Sequence, residues 1–257
     1  MSSGPEIPAP AGYSNPVPFD RSKHRGLGIP PEAAGFASKL HAIYLTHVEI
    51  PRAALDYPVV FVREQAGDVA PVALVGVEQH KNLFCTSKGQ WSTGRYVPAY
   101  VRRYPFFLAR IKDNDTNSLI CVDAKALSES ASPLVNERGE TTEAWAPIEK
   151  LIQHMDVETK NTQTFCARLN ELDLLETFDA DFHPNSASMP NASELPKPQR
   201  INGLLRVSRK ALERLSDENL GALVRDQSLA KIESHLNSLH RFETLLNLYA
   251  VAASKSQ

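Results

Sequence analysis

Gly94-Arg95-Tyr96-Val97-Pro98-Ala99-Tyr100-Val101-Arg102-Arg103-Tyr104-Pro105-Phe106-Phe107-Leu108-Ala109 divides the chain into two halves of different character. It holds three tyrosines, three arginines, two prolines and two phenylalanines. Segments before it read as strands; after it come a strand-like segment and then mainly helical patterns. Pro105 stands at the start of a strand predicted over Phe106–Ile111. A proline costs least at a strand entry, where its missing N–H is not needed by the ladder. The same Tyr-Pro-apolar-apolar pattern occurs at Tyr57-Pro58-Val59-Val60-Phe61. Two equivalent strand entries explain that pair without any function.

Working upstream, Pro58–Val62 is a short, β-branched apolar run of the buried-strand type. Ala66-Gly67-Asp68 is a turn signal, and Val69–Val77 reads as a second strand, so the two form an antiparallel hairpin. Asn82–Thr86 reads as a third strand and Ser38–Val48 as another. Pro51 suits the first position of a short helical segment over Arg52–Asp56. Residues 1–35 form a Pro-rich arm, expected to be extended or disordered because its prolines prevent a helix or a central strand. Gly26-Leu27-Gly28 within it is only a fragment of a phosphate-loop pattern, and with no strand before it the fragment is discarded.

Downstream, Lys112–Asn117 is a polar turn and Ser118–Asp123 a strand, which completes a meander-like antiparallel sheet. Pro147 opens a helix with Ile148, Leu151, Ile152 and Met155 on one face. A second helix after Thr162 carries Phe165, Leu169, Leu172 and Leu175. Residues 179–200 read as a long surface loop and Ile201–Val207 as a returning strand. Ser216 is a helix N-cap. From Ser228 to Tyr249, apolar residues recur at three- and four-residue steps, as in one long amphipathic helix. That stripe packs on the chain's own core or pairs with another chain. The fold class is α+β: mainly antiparallel sheet from the N-terminal half, packed with C-terminal helices. The domain expected is a single one over 36–250, strand-rich to 125 and helix-rich from 143.

Charge and composition narrow the function classes. A net charge of −2 argues against a general nucleic-acid binder. Cys85, Cys121 and Cys166 are widely spaced, make no CxxC pair and sit in apolar surroundings, as buried reduced thiols do. No apolar run is long enough for a transmembrane segment, and the N-terminus has no basic region followed by an apolar one. By sequence, then, a cytoplasmic location is expected. The histidines make no HxH or HExxH pattern, and nucleophile elbows, phosphate loops and dinucleotide fingerprints are absent. No metal, cofactor or catalytic residue is assigned, and the enzyme reading is the less favoured one.

The candidate binding residues are Arg102, Arg103, Tyr100, Tyr104 and Asp123. Arginine offers a planar fork for carboxylate or phosphate, and tyrosine a stacking face with a hydroxyl. If residues 97–103 were extended, Arg102 and Arg103 would face opposite sides. They either line a site for an acidic small molecule or peptide, or stack on tyrosine and pair with a buried carboxylate. Asp123, at the end of an apolar strand, is the best internal partner and Glu49 the second.

Tyr96-Val97-Pro98-Ala99-Tyr100-Val101-Arg102-Arg103-Tyr104-Pro105-Phe106, with Tyr57–Phe61, Pro71–Gly76, Asn82–Phe84 and Trp91, resembles the bacterial SapC family. Cys121-Val122-Asp123, Thr164–Cys166 with Glu171–Leu175, Ile201–Gly203 and His235–Leu239 extend the likeness over about residues 36–248. The resemblance implies a link to the bacterial surface layer, or an accessory role in outer-membrane uptake, exercised through a protein partner or self-association. It also implies that a cell-surface location is open. It carries over no catalytic residues.

Overall fold

The computed structural model describes residues 9–64, 67–110, 118–182 and 199–254. The turn expected at 112–117 and most of the loop expected over 179–200 lie outside them. In chain order the elements are β1 (Pro16–Pro18), β2 (Ala42–Tyr44), α1 (Ile50–Ala53), β3 (Val59–Arg63), β4 (Val69–Leu74), α2 (Ala99–Arg102), β5 (Phe106–Arg110) and β6 (Ser118–Asp123). They continue with α3 (Trp145–Glu171), β7 (Leu175–Phe182), β8 (Gln199–Val207), α4 (Arg209–Glu213), α5 (Asp217–Arg225), α6 (Ser228–Ser238) and α7 (Arg241–Ser254). The fold is α+β, and its strands fall into two antiparallel sheets rather than one meander. The chain divides into two compact units where the sequence led to one domain. The first takes in Met1–Lys39, Cys85–Trp91 and Ala99–Val157; the second Leu40–Phe84, Ser92–Pro98 and Glu158–Gln257.

The first unit contains the sheet β1-β6-β5. Register pairs Phe106 with Val122, Leu108 with Ile120, and Val17 with Val122. Side chains two apart share a face, so these residues form one apolar face. It packs on Leu134, Trp145 and Ile152, with Phe19 stacked on Trp145 at 4.6 Å. The opposite face carries Phe107 and Cys121, paired in register.

The expectation of a disordered arm fails for residues 9–35, because β1 is the edge strand of this sheet. Ladder bonds run from Phe19 N–H to Ile120 O (2.8 Å) and from Ala124 N–H to Asn15 O (3.0 Å). The odd-numbered residues therefore carry the ladder. Pro16 and Pro18 occupy positions whose N–H would point away from β6, where an edge strand tolerates proline. Prolines set against a central strand are thus compatible with this one. The glycines of the discarded Gly26-Leu27-Gly28 fragment have a structural reason as well. Gly26 has φ +70°, and a Cβ on Gly28 would lie 2.1 Å from Ser132 O.

The second unit contains the sheet β2-β4-β3-β8-β7, with β3 at its centre. Val59, Val60 and Phe61 are fully buried, in keeping with a strand covered on both faces. The β3–β4 hairpin forms as read from the sequence. The strand expected over 38–48 is only three residues long. Its next rung opposes Leu45 to Pro71: Leu45 N–H reaches Pro71 O at 3.0 Å, and proline has no N–H to return. Glu49 Oε2 then accepts from Thr46 N–H (2.9 Å) and Thr46 Oγ1 (2.8 Å), which turns the chain into a helical segment.

Other differences have local causes. Asn82–Thr86 is not a regular strand; Asn82 Oδ1 takes the N–H of Phe84 (2.8 Å) and bends the chain. The two helices expected around Pro147 and Thr162 are one, α3. Leu175, assigned to the helical stripe, begins β7. The single helix expected over 228–249 is broken between Ser238 and Arg241. There Ser238 Oγ donates to His235 O (2.6 Å) and accepts Val59 N–H (2.9 Å). Ser216 Oγ caps α5 as expected, accepting Asn219 N–H at 3.3 Å.

His235 joins α6 to the sheet. The β3–β8 register that pairs Phe61 with Leu205 would bring Val59 opposite Val207, but pairing stops short of it. The imidazole fills that rung, with Nδ1 2.8 Å from Val59 O and Nε2 accepting Val207 N–H at 3.1 Å. This arrangement fixes the tautomer with the proton on Nδ1. Burial pushes the imidazole pKa down to about 4.

Candidate functional site

Residues 97–103 are not extended. Pro98 precedes a helical turn closed by Arg103 N–H to Ala99 O (2.9 Å), and Tyr104 N–H follows to Val101 O (3.2 Å). Proline suits the start of such a turn, where no N–H partner is lost. The turn places Tyr100, Arg103 and Tyr104, at i, i+3 and i+4, on one side. Arg102 is exposed at the end of α2. The two arginines thus part company through helical rather than strand geometry.

Tyr13, from the N-terminal segment, is the hub of the cluster in the first unit. Its ring lies edge-on to Tyr104 (5.0 Å), Phe107 (5.2 Å), Phe36 (6.0 Å) and Tyr100 (6.4 Å). Phe36 stacks on Tyr104 at 3.8 Å. Tyr13 donates to Phe106 O (3.0 Å) and Tyr100 to Ala11 O (2.8 Å). Nothing in the sequence singled out Tyr13 or Phe36; their only signal is that one is an aromatic residue inside the Pro-rich segment and the other an aromatic residue directly after it.

Asp123, fully buried at the end of β6, is where the structure corrects the expected pairing most directly. Its Oδ2 accepts from Ser14 N–H (2.8 Å) and from the Tyr104 hydroxyl (3.1 Å). Its Oδ1 accepts from Asn15 N–H (3.1 Å) and Lys125 N–H (3.4 Å). The residue of the motif that reaches this carboxylate is Tyr104. Glu49, the second expected partner, uses its Oε1 on the Tyr96 hydroxyl (2.8 Å) in the second unit. There Arg95 pairs with Asp56 at 3.0 Å.

Arg103 places its Cζ 4.7 Å from the centroid of the Tyr100 ring, a cation–π arrangement. Its Nε is buried without a hydrogen-bond partner. Burial raises the Tyr13 hydroxyl pKa, and the Arg103 charge opposes that shift. Tyr104 is raised by burial and then by the neighbouring Asp123. Tyr100 is raised by burial, against Arg103. All three phenols therefore stay protonated at neutral pH and act as hydrogen-bond donors rather than bases. The geometry brings together Tyr100, Arg103, Tyr104 and Asp123 and leaves Arg102 on the surface.

No group of three metal-ligating side chains occurs among the described residues. Among them no helix is long and apolar enough to cross a membrane. No curated protein and no solved structure matches the chain. The sequence model of the SapC family matches residues 19–245 of 257, which begins just after β1 and includes part of the segment read as an arm. With that match covering far more than half of its length, the chain belongs to the SapC family.

Proposed function

We propose that this SapC-family chain is a non-catalytic accessory protein that acts through protein contacts, at the surface layer or in outer-membrane uptake. One observation carries the reading. The tyrosine hydroxyls in and around its most conspicuous motif are spent on its own structure: those of Tyr100 and Tyr104 hold Ala11 O and Asp123, and that of Tyr13, packed against them, holds Phe106 O. A catalytic site keeps acid, base or nucleophile directed at a substrate. Here the tyrosine hydroxyls are held as internal donors. Fractionation of the native cells, followed by size-exclusion chromatography with light scattering, tests the proposal. The chain is expected in a complex with a defined partner or with itself. A strictly monomeric species with no co-purifying protein overturns it.

A second reading is favoured by the buried, unpartnered Nε of Arg103. A guanidinium nitrogen left without an acceptor is costly, and a bound carboxylate or phosphate would supply one. On this reading Arg103, Tyr100, Tyr104 and Asp123 belong to a site for an acidic small molecule or peptide, with Arg102 at its outer edge. Phosphate and glutarate are then expected to raise the melting temperature of the wild-type chain but not of Arg103→Met. If neither anion shifts the wild type, this reading fails.

A further inference from the structure

The second unit contains a cavity of about 490 Å³ where the end of β8 turns into α4 and meets the α6–α7 junction. That size lies within the range of small-molecule sites. Three cations, Arg206, Arg209 and Lys210, line it against one carboxylate, Glu176. Arg206 is already committed: its Nε donates to Glu176 Oε1 at 2.8 Å, and its guanidinium lies 5.4 Å from the centre of the Phe178 ring. This pair cancels the one negative charge of the lining. Arg209 makes only a 3.4 Å contact with Glu233, and Lys210 adds a further positive charge.

The remainder of the lining includes Leu236 and Leu239. Two backbone N–H groups of the wall are already satisfied. Val207 N–H goes to His235 Nε2 (3.1 Å) and Ser208 N–H to Leu174 O (2.8 Å). The side chains offer a cationic rim beside a small apolar wall, in which Leu239 is half-buried and Leu236 nearly covered. We propose that this cavity binds a small organic anion with an apolar body, its acid group on Arg209 and Lys210 and its body against Leu236 and Leu239. The site is independent of Arg103 and of the accessory reading.

Isothermal titration of the full chain with octanoate at low ionic strength tests it. Octanoate is expected to bind, with acetate and octyltrimethylammonium at least about tenfold weaker, because each lacks one half of the recognised pattern. Lys210→Glu is expected to weaken octanoate about tenfold or more, and Leu239→Asp to do the same through the apolar wall. Arg103→Met is expected to leave it unchanged. Circular dichroism confirms that each variant is folded, and Lys210→Gln gives a milder test if the charge reversal perturbs the fold. Absence of octanoate binding to the wild type overturns the proposal. So does equal binding by the folded Lys210 variant, or equal binding of acetate or of the cationic amphiphile.

Discussion

The Tyr104 hydroxyl donates to Asp123 Oδ2 at 3.1 Å, so a tyrosine hydroxyl, not an arginine, ties the C-terminal end of the basic-aromatic motif to this buried carboxylate. Asp123 has no exposed surface, and it gathers Ser14, Asn15, Lys125 and Tyr104 around one carboxylate. Tyr104→Phe removes one donor to a buried charge and is expected to cost about 1–3 kcal/mol. Asp123→Asn keeps the volume but turns an amide N–H₂ toward groups that themselves donate. It is expected to cost at least as much as Tyr104→Phe. Urea denaturation of the three proteins measures both. A near-neutral Asp123→Asn would refute the assigned role.

His235 makes stability depend on pH. Its folded pKa of about 4 lies below the ordinary histidine value of 6.5, so between those values the unfolded chain binds more protons. The contribution of the neutral imidazole is complete above about pH 6.5 and is lost as pH falls toward 4. The loss is about 3 kcal/mol over that window. His235→Gln is expected to be less stable than the wild type at pH 7, with the difference shrinking as pH falls. Denaturation midpoints at several pH values check the sign. The imidazole ¹⁵N shifts of the wild type, which should stay those of the Nδ1–H neutral form at pH 5, give a check that needs no variant.

Thiol chemistry follows from burial. Desolvation pushes Cys121 up to about 11 and Cys166 up to about 12, and it raises Cys85 as well. Thiolate is the reactive form, and at pH 8 a pKa of 11 leaves only about one part in a thousand of it. Iodoacetamide at pH 8 is expected to leave the native chain largely unlabelled, and to modify all three cysteines in denaturant. Rapid labelling of the folded chain at Cys121 or Cys166, read by mass spectrometry, would contradict this burial.

Two glycines should respond differently to alanine. A Cβ at Gly28 would meet backbone, Ser132 O at 2.1 Å. At Gly94, with φ +75°, nothing lies within 4 Å of the added atom. Gly94→Ala is therefore expected to cost about 1 kcal/mol, for the left-handed backbone alone. Gly28→Ala is expected to cost several times that, because a carbonyl cannot move aside without the turn that holds it. Thermal denaturation ranks the two.

Much of the fold was legible because local pattern and tertiary role agreed. Val59–Phe61 is apolar, short and doubly buried, and Ser118–Asp123 has the bounds its apolar run predicts. What could not be read was decided by partners distant in sequence. Proline content marked residues 9–35 as an arm, yet Pro16 and Pro18 fall where an edge strand needs no N–H. Leu45 looked like strand, and Pro71, 26 positions away, ended the ladder. The candidate site was half legible. Tyr100, Arg103, Tyr104 and Asp123 do assemble, but Tyr13 comes from the segment that composition dismissed and Phe36 from just beyond its end. The expected arginine–aspartate pairing gave way to a tyrosine because the chain between Pro98 and Phe106 coils instead of extending.

The strand order β2-β4-β3-β8-β7 has a consequence for synthesis on the ribosome. β3 and β4 emerge together and can pair at once, but the other edge of β3 belongs to a strand that begins only at Gln199. His235 and Ser238, which take up the open groups of Val59, arrive later still. Throughout that interval the nascent chain presents Val59-Val60-Phe61-Val62, an uncharged β-branched edge of the kind that pairs with strangers. Translation pauses or C-terminal truncation before residue 199 would prolong that exposure, so the chain depends on completing its own C-terminus, or on a chaperone, to stay out of aggregates.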